Sequence, residues 1–378
     1  MRIAILDESK NDEPRVAATP ETIKKLSALG ASFAIEKGAG LASGLADADF
    51  EAAGATIAKN AAEALKEADV VLAVRRPKGE LAGKMKQGAL LLAAMDPYGN
   101  AEAIEPFAKA GVAAFSMELM PRITRAQVMD ILSSQANLAG YRAVLDAAAV
   151  YGRAFPMMMT AAGTVPAARV FIMGAGVAGL QAIATARRLG AVVTATDVRP
   201  AAKEQVESLG AKFVAVEDEE FKQAETAAGY AKPMSAEYQA KQAELVAGHI
   251  AKQDIVITTA LIPGRPAPKL VTKAMVESMK MGSVVVDLAI ERGGNCELSV
   301  ADKITDHNGV KIIASTNTAG KLAQTASSLF AKNLFAFLET MIDKGSKTLK
   351  VNWEDELVKA TLLSKDGALV HPIFAPKA

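Results

Sequence analysis

The residues best placed by type and spacing to do chemistry are Gly174, Gly176 and Gly179, which follow the apolar run Val170 to Met173, together with Asp197, 23 positions after Gly174. In a strand-to-helix turn the first glycine permits the tight bend and the second lets backbone approach a pyrophosphate. The third lets the helix pack closely on its strand. The helix N-terminus, carrying unpaired N–H groups, then faces the phosphates. A glycine pattern alone could be steric, but the context is specific. Leu180 to Leu189 reads as a helix stopped by Gly190, and Ala191 to Thr196 as a second strand delivering Asp197 at the distance of a ribose-binding carboxylate. A carboxylate there repels a 2′-phosphate, which favours NAD(H) over NADP(H). Arg199, two residues on, is the feature that softens this choice.

A second polar constellation lies at Arg122 to Gln135. Counted as a helix from about Thr124, the residues Gln127, Asp130 and Ser133 recur every three positions and share roughly one face. Arg122, in the preceding turn, reaches the same region. Such a face can hydrogen-bond a carboxamide and a ribose, with Arg122 and Asp130 neutralising each other. It also has a plain reading as an exposed helix face capped by Thr124.

Elements that position these groups follow from the hydrophobic pattern. From Met1 to about Gly111 the strand-like runs RIAIL, SFAIE, ADVVLAV and GALLLAAM alternate with helical stretches. A second series, RVFIMG, AVVTATD, KFVAV, DIVITTA, SVVVDLA and KIIAST, follows. Strands separated by helices imply parallel wiring. The fold class is therefore α/β, with two doubly wound, Rossmann-like parallel sheets joined by long helices around Leu132 to Gly152 and Leu322 to Met341. The second helix is expected to return the chain to the first domain, giving 1–133 plus 322–378 for that domain and 134–321 for the nucleotide-binding one. A cleft between domains is the default ligand site. Glu217 to Lys252 breaks the rhythm with a polar first half, too long for an ordinary connection. We read about 219–237 as a mobile loop in which Tyr230, beside Gly229, closes over bound nucleotide, against the alternative of a passive insertion.

Composition narrows the remaining classes. The chain has 378 residues, 51% hydrophobic and 22% charged, enough for two cored domains. Lys and Arg (43) nearly balance Asp and Glu (42), which argues against a nucleic-acid partner. The one cysteine, Cys296, rules out a disulfide framework and reads as a packing residue. His249, His307 and His371 show no metal-ligand spacing, so no metal is expected. No apolar stretch is long enough for a membrane helix, and the N-terminus lacks a signal-peptide pattern. Met157, Met158 and Met159 are expected to pack between the domains, since methionine fills irregular gaps. Lys24, Lys25, Arg187 and Arg188 read as solvated helix faces.

The segments PRITRAQVMDILSSQANLAGYRAV, FPMMMTAAGTVPAARVFIMGAGVAGLQAIATARRLGAVVTATDVR and TTALIPGRPAP closely resemble the NAD(H)-binding component of proton-translocating NAD(P) transhydrogenases. The resemblance runs end to end, including DEPRVAATPETIKKL and the loop AETAAGYAKPM. It implies a homodimer, peripheral on the cytoplasmic face of a membrane through partner subunits. Hydride would pass between NAD(H) held here and NADP(H) held by a separate component, while a transmembrane component couples transfer to proton movement. The resemblance assigns Arg122 and Asp130 to the nicotinamide ring and its carboxamide, Ser133 to the carboxamide, and Gln127 toward the partner's nucleotide. It assigns Val177 and the glycine turn to pyrophosphate, and Asp197, Val198 and Arg199 to the adenosine ribose. Gly229 and Tyr230 match its mobile loop; Gln242 and Leu261 match further nucleotide contacts. Transfer between two nicotinamides needs no general acid or base, so positioning is the catalytic task.

Alanine dehydrogenase shares this resemblance and is the alternative. That reaction must bind a carboxylate and move a proton as well as a hydride. Arg15 and Arg75 stand where that family uses an arginine and a lysine. Its catalytic histidine should fall within GALLLAAMDP, yet no histidine precedes His249, and Glu291 stands where it has an aspartate. A protein that only senses NAD(H) would not require the polar face from Arg122 to Ser133.

Overall fold

Residues 1–224 and 234–375 are described here, from a computed structural model. The chain forms two compact units, residues 1–135 with 319–378, and residues 136–318. Strands are numbered in chain order. The first unit holds β1 (Arg2–Ile5), β2 (Ser32–Glu36), β3 (Thr56–Ala58), β4 (Val70–Arg75), β5 (Leu90–Ala94) and β6 (Ala113–Ser116). They form a parallel sheet in the order β6-β5-β4-β1-β2-β3, extended beyond β6 by the antiparallel strands Leu362–Lys365 and Ala368–Leu369.

Strand alternation divides this sheet's core in two. Ile3, Ile5, Val70, Leu72 and Phe115 point to one face, where Phe330, Leu334 and Phe337 of the helix Ala323–Glu339 cover them. Ala4, Val71, Ala73, Leu91 and Ala93 point to the other, beneath Leu65 and Phe107 from short helices. Near-continuous apolar strands such as VVLAV are the signature of a sheet buried on both faces. The return of the C-terminal segment to this unit is thus a packing requirement, since without that helix one face would be bare.

The first strands of the second unit form a hairpin of β7 (Met158–Thr160) and β8 (Gly163–Val165). Its sheet comprises β9 (Arg169–Met173), β10 (Val192–Thr196), β11 (Lys212–Phe213), β12 (Ile255–Thr258), β13 (Val284–Asp287), β14 (Ile304–His307) and β15 (Val310–Ile313). The order is β11-β10-β9-β12-β13-β15-β14, parallel except for β14 at the edge. Chain order reverses between β9 and β12, the point at which open α/β sheets bind ligands beyond the strands' carboxyl ends. Val170, Ile172, Ile255 and Ile257 fill one face, Phe171, Met173 and Val256 the other.

The long helix Ile131–Val150 continues from the first unit into the second. Gly140 is its point of closest approach within the second unit, where an added Cβ would stand 2.0 Å from the Ala178 carbonyl oxygen. Met157, Met158 and Met159 do not pack as expected. They are 63%, 44% and 73% exposed on the hairpin, because a two-stranded ribbon has no second layer of its own.

Candidate functional site

Gly174 closes the strand β9 with φ +106°, a conformation that L side chains rarely adopt, and its N–H donates to the Thr196 carbonyl. Gly176 then starts the helix Val177–Arg188. A Cβ at Gly179 would lie 1.8 Å from the Gly174 carbonyl oxygen, so only glycine lets this helix descend onto the turn. A Cβ at Gly176 would meet nothing within 4 Å. Two of the three glycines are consequently steric, while Gly176 leaves open space at the helix N-terminus, where the first-turn N–H groups lack intrahelical partners.

Asp197 makes contacts that spacing alone does not reveal. Its side chain is only 7% exposed. Oδ2 accepts the Ala175 N–H at 2.7 Å, which fixes the glycine turn from β10. Oδ1 accepts the backbone N–H and Nε–H of Arg199, both at 2.9 Å, and the Arg199 Nη2 donates to Oδ2 at 3.0 Å. Arg199 is therefore turned onto Asp197, which accounts for the cation that complicated the choice of nucleotide.

Three of the assigned contacts are exposed apolar side chains on the carboxyl-end rim of this sheet. Val177 follows β9, Val198 follows β10 and Leu261 follows β12, at 42%, 57% and 53% exposure. Thr259, which the sequence did not single out, donates its hydroxyl to the Gly174 carbonyl at 3.0 Å and ties the β12 loop to the glycine turn. Gln242, on the helix Ala236–Ile250, lies below this rim. It accepts the Val216 N–H at 2.9 Å and donates to the Thr196 hydroxyl at 3.2 Å, next to Asp197. Gly229 and Tyr230 lie outside the described residues.

In the first unit, Arg122 to Ser133 do not form one helix. Thr124–Met129 is a 3-10 turn, Asp130 is extended, and the α-helix starts at Ile131. The three-residue spacing is the period of a 3-10 helix, so Gln127 shares no α-helical face with Ser133. Asp130, not Thr124, caps the long helix, accepting the Ser133 N–H at 3.0 Å and also the Ser133 hydroxyl. Arg122 is exposed and, among the described residues, is not paired with Asp130, whose carboxylate Ser133 already engages. The structure thus joins Asp130 with Ser133 and leaves Arg122 and Gln127 extended to solvent.

Asn333 positions this segment. Buried on the helix Ala323–Glu339, it donates to the Val128 carbonyl at 2.8 Å and accepts the Ser134 hydroxyl at 2.7 Å. A polar residue in an apolar helical stripe was the signal for it. Gln135 adds a bond from Nε2 to the Ala326 carbonyl and accepts the Arg15 guanidinium at 2.8 Å.

Arg15 is buried and Arg75 is exposed, and both are engaged by Glu13. Glu13 takes Nε and Nη2 of Arg15, both at 2.7 Å, and Nε of Arg75 at 2.9 Å. Burial alone would raise the Glu13 carboxyl, but the hydrogen bonds and charge of Arg15, with the charge of Arg75, hold it down at about 2. Burial pushes neighbouring Glu8 up to about 8, against backbone N–H groups of Val74 and Arg75 that favour its ionised form. The stretch from Gly88 to Pro97, where a proton carrier would stand, holds no histidine, and its Met95 is fully buried. Cys296 is buried as a packing residue, and burial raises its thiol. Among the described residues there is no group of three metal-ligating side chains and no helix long and apolar enough to cross a membrane.

Two family models match in tandem, the alanine dehydrogenase/PNT N-terminal domain over residues 4–139 and the C-terminal domain of the same family over 143–372. The chain belongs to the alanine dehydrogenase/PNT family. Within this family it is 56% identical, over 98% of both chains, to an NAD(P) transhydrogenase subunit alpha chain of Rhodospirillum rubrum. A crystal structure of transhydrogenase from Sinorhizobium meliloti superposes with a TM-score of 0.89 at 61% identity, covering 98% of this chain and all of that one. Alanine dehydrogenases are more distant. The Halomonas elongata enzyme is 29% identical over 99% of this chain and 96% of its own, and an L-alanine dehydrogenase structure gives a TM-score of 0.82 at 25% identity, covering 99% and 98%. The alanine dehydrogenase/PNT fold thus serves two reactions, and this chain stands with the transhydrogenase alpha chains as an oxidoreductase subunit.

Proposed function

We propose that this chain is the NAD(H)-binding component of a proton-translocating NAD(P) transhydrogenase and passes hydride directly to or from NADP(H) on a partner component. The observation that carries this reading is the whole-length similarity to transhydrogenase alpha chains. The second unit's turn fits a dinucleotide: open space at Gly176, unpaired helix N–H groups, and an apolar rim for a base. Bound NAD(H) supplies the hydride carrier. The chain's own work is orientation: Asp130, held by Ser133, and Arg122 grip the carboxamide end, while exposed Gln127 extends toward the partner's nucleotide.

Alanine oxidation is disfavoured because the stretch from Gly88 to Pro97 holds no histidine to carry a proton, and Glu13 already engages Arg15 and Nε of Arg75. The assembly is a homodimer, and the exposed hairpin supports it. Residues 154–166 carry no charge, every residue from Pro156 to Pro166 is exposed, and an isolated two-stranded ribbon is marginal in water. The chain docks through its partners at the cytoplasmic face of a membrane whose transmembrane component carries the protons.

Arg122→Ala and Asp130→Asn test the orienting role. Each is expected to cut the rate of NADPH-driven reduction of an NAD⁺ analogue by about 100-fold, with NADH affinity changed far less. A loss confined to affinity would contradict it.

A further inference from the structure

Resting on the nucleotide-binding reading above, we infer that Asn295 is a positioning residue that sets the β12 rim, and with it Leu261, against the nucleotide. The segment from Ala260 to Pro268 leaves β12 as a loop whose exposed tip, Leu261 and Ile262, is apolar. An unsupported apolar tip would fold down onto the sheet or stay disordered, and either would remove the flat surface a base needs. The loop has little internal order beyond one turn, closed by the Arg265 N–H on the Ile262 carbonyl at 3.2 Å.

One side chain closes its base. Asn295 is fully buried, its Oδ1 accepts the Ala260 N–H at 3.0 Å, and its Nδ2 donates to the Ala260 carbonyl at 2.9 Å and the Pro268 carbonyl at 2.8 Å. Both backbone groups of the residue before Leu261 are thereby fixed, and the two ends of the loop are joined through one amide. Asn295 is itself held in place by backbone bonds. Its carbonyl accepts the N–H groups of Leu270 and Val271, and the Cys296 N–H next to it donates to buried Asp287. From the other side Thr259 ties the same strand end to Gly174. The glycine turn and the apolar rim are therefore referenced to one rigid frame, and Asn295 is its only side chain that grips the loop at both ends among the described residues.

The test uses the full chain and follows binding of NADH, 5′-AMP and reduced nicotinamide mononucleotide. Asn295→Asp keeps the acceptor but loses both donors, and Asn295→Ser shortens the side chain without adding charge. Either is expected to raise the Kd for NADH and AMP about ten-fold, with mononucleotide binding unchanged. With the partner component present, the loss should fall on KM for NADH, leaving kcat within about two-fold. Combined with Leu261→Ala, the losses should overlap, not add. Folded variants that bind AMP like the parent, or losses that add fully, would overturn the inference. Hydrogen exchange of the parent protein gives an answer even if both variants misfold: the Ala260 amide must be protected without nucleotide, and an unprotected amide would refute the clamp. A parent chain that binds no NADH would instead sink the nucleotide-binding reading.

Discussion

At the residue scale, the site divides into groups that shape backbone and groups left to meet a ligand. Gly179 belongs to the first kind. Because its Cβ would strike a backbone carbonyl, Gly179→Ala must displace the helix or the turn, and a cost of about 2–4 kcal/mol is expected by thermal or denaturant unfolding. Gly176→Ala meets only open space, so it should leave stability nearly unchanged and weaken NADH binding at least ten-fold by calorimetry. Equal effects of the two would mean that the glycines share one role. The buried carboxylates give opposite pH signatures. Glu13, depressed to about 2, contributes stability that is present above about pH 4.5 and lost as pH falls toward 2. Glu8, raised to about 8, contributes stability that is present below about pH 4.5 and lost as pH rises through 8. Unfolding midpoints between pH 5 and 9 should therefore decline less in Glu8→Gln than in the parent. Parallel curves would assign the decline to other groups.

At the element scale, Asn333 is the inexpensive way to disturb the nicotinamide-side segment without touching it. Asn333→Leu keeps the volume but removes the donor to the Val128 carbonyl and the acceptor of the Ser134 hydroxyl. It should destabilise by about 1–3 kcal/mol and slow hydride transfer while leaving AMP binding intact; unchanged transfer would separate this helix from the site. The same segment shows where sequence reading stops. Strands such as SFAIE and the two long helices were legible because their apolar runs and breakers are unambiguous. The stretch from Thr124 to Ser133 was not, since period three belongs both to one side of an α-helix and to a 3-10 turn. Only the capping bond of Asp130 decides between them. The short strand β3 and the edge strand β14 were missed for a related reason: β14 pairs by backbone, with exposed Ile304 and little apolar pattern to announce it. Methionines at 157–159 were misread because hydrophobicity signals burial by some surface without saying which chain supplies it.

At the scale of the whole molecule, the chain carries two largely parallel sheets, and the glycine turn lies on the second. Sequence pattern pointed to a dinucleotide unit from the glycines and Asp197 but not to the reason Asp197 is fixed, which lies in a backbone N–H 22 residues away. The exposed hairpin bears on assembly: Met158→Asp with Met159→Asp is expected to shift the chain from dimer to monomer in analytical ultracentrifugation, and an unchanged mass would place the interface elsewhere. The central claim concerns what the chain does with its hydride. The most direct measurement is reduction of an NAD⁺ analogue by NADPH, with the purified chain alone and with an NADP(H)-binding transhydrogenase component, and L-alanine plus NAD⁺ run in parallel. The account predicts transfer only when the component is present and no alanine oxidation. Alanine-dependent NADH formation by the chain alone, or no transfer with the component, would contradict it.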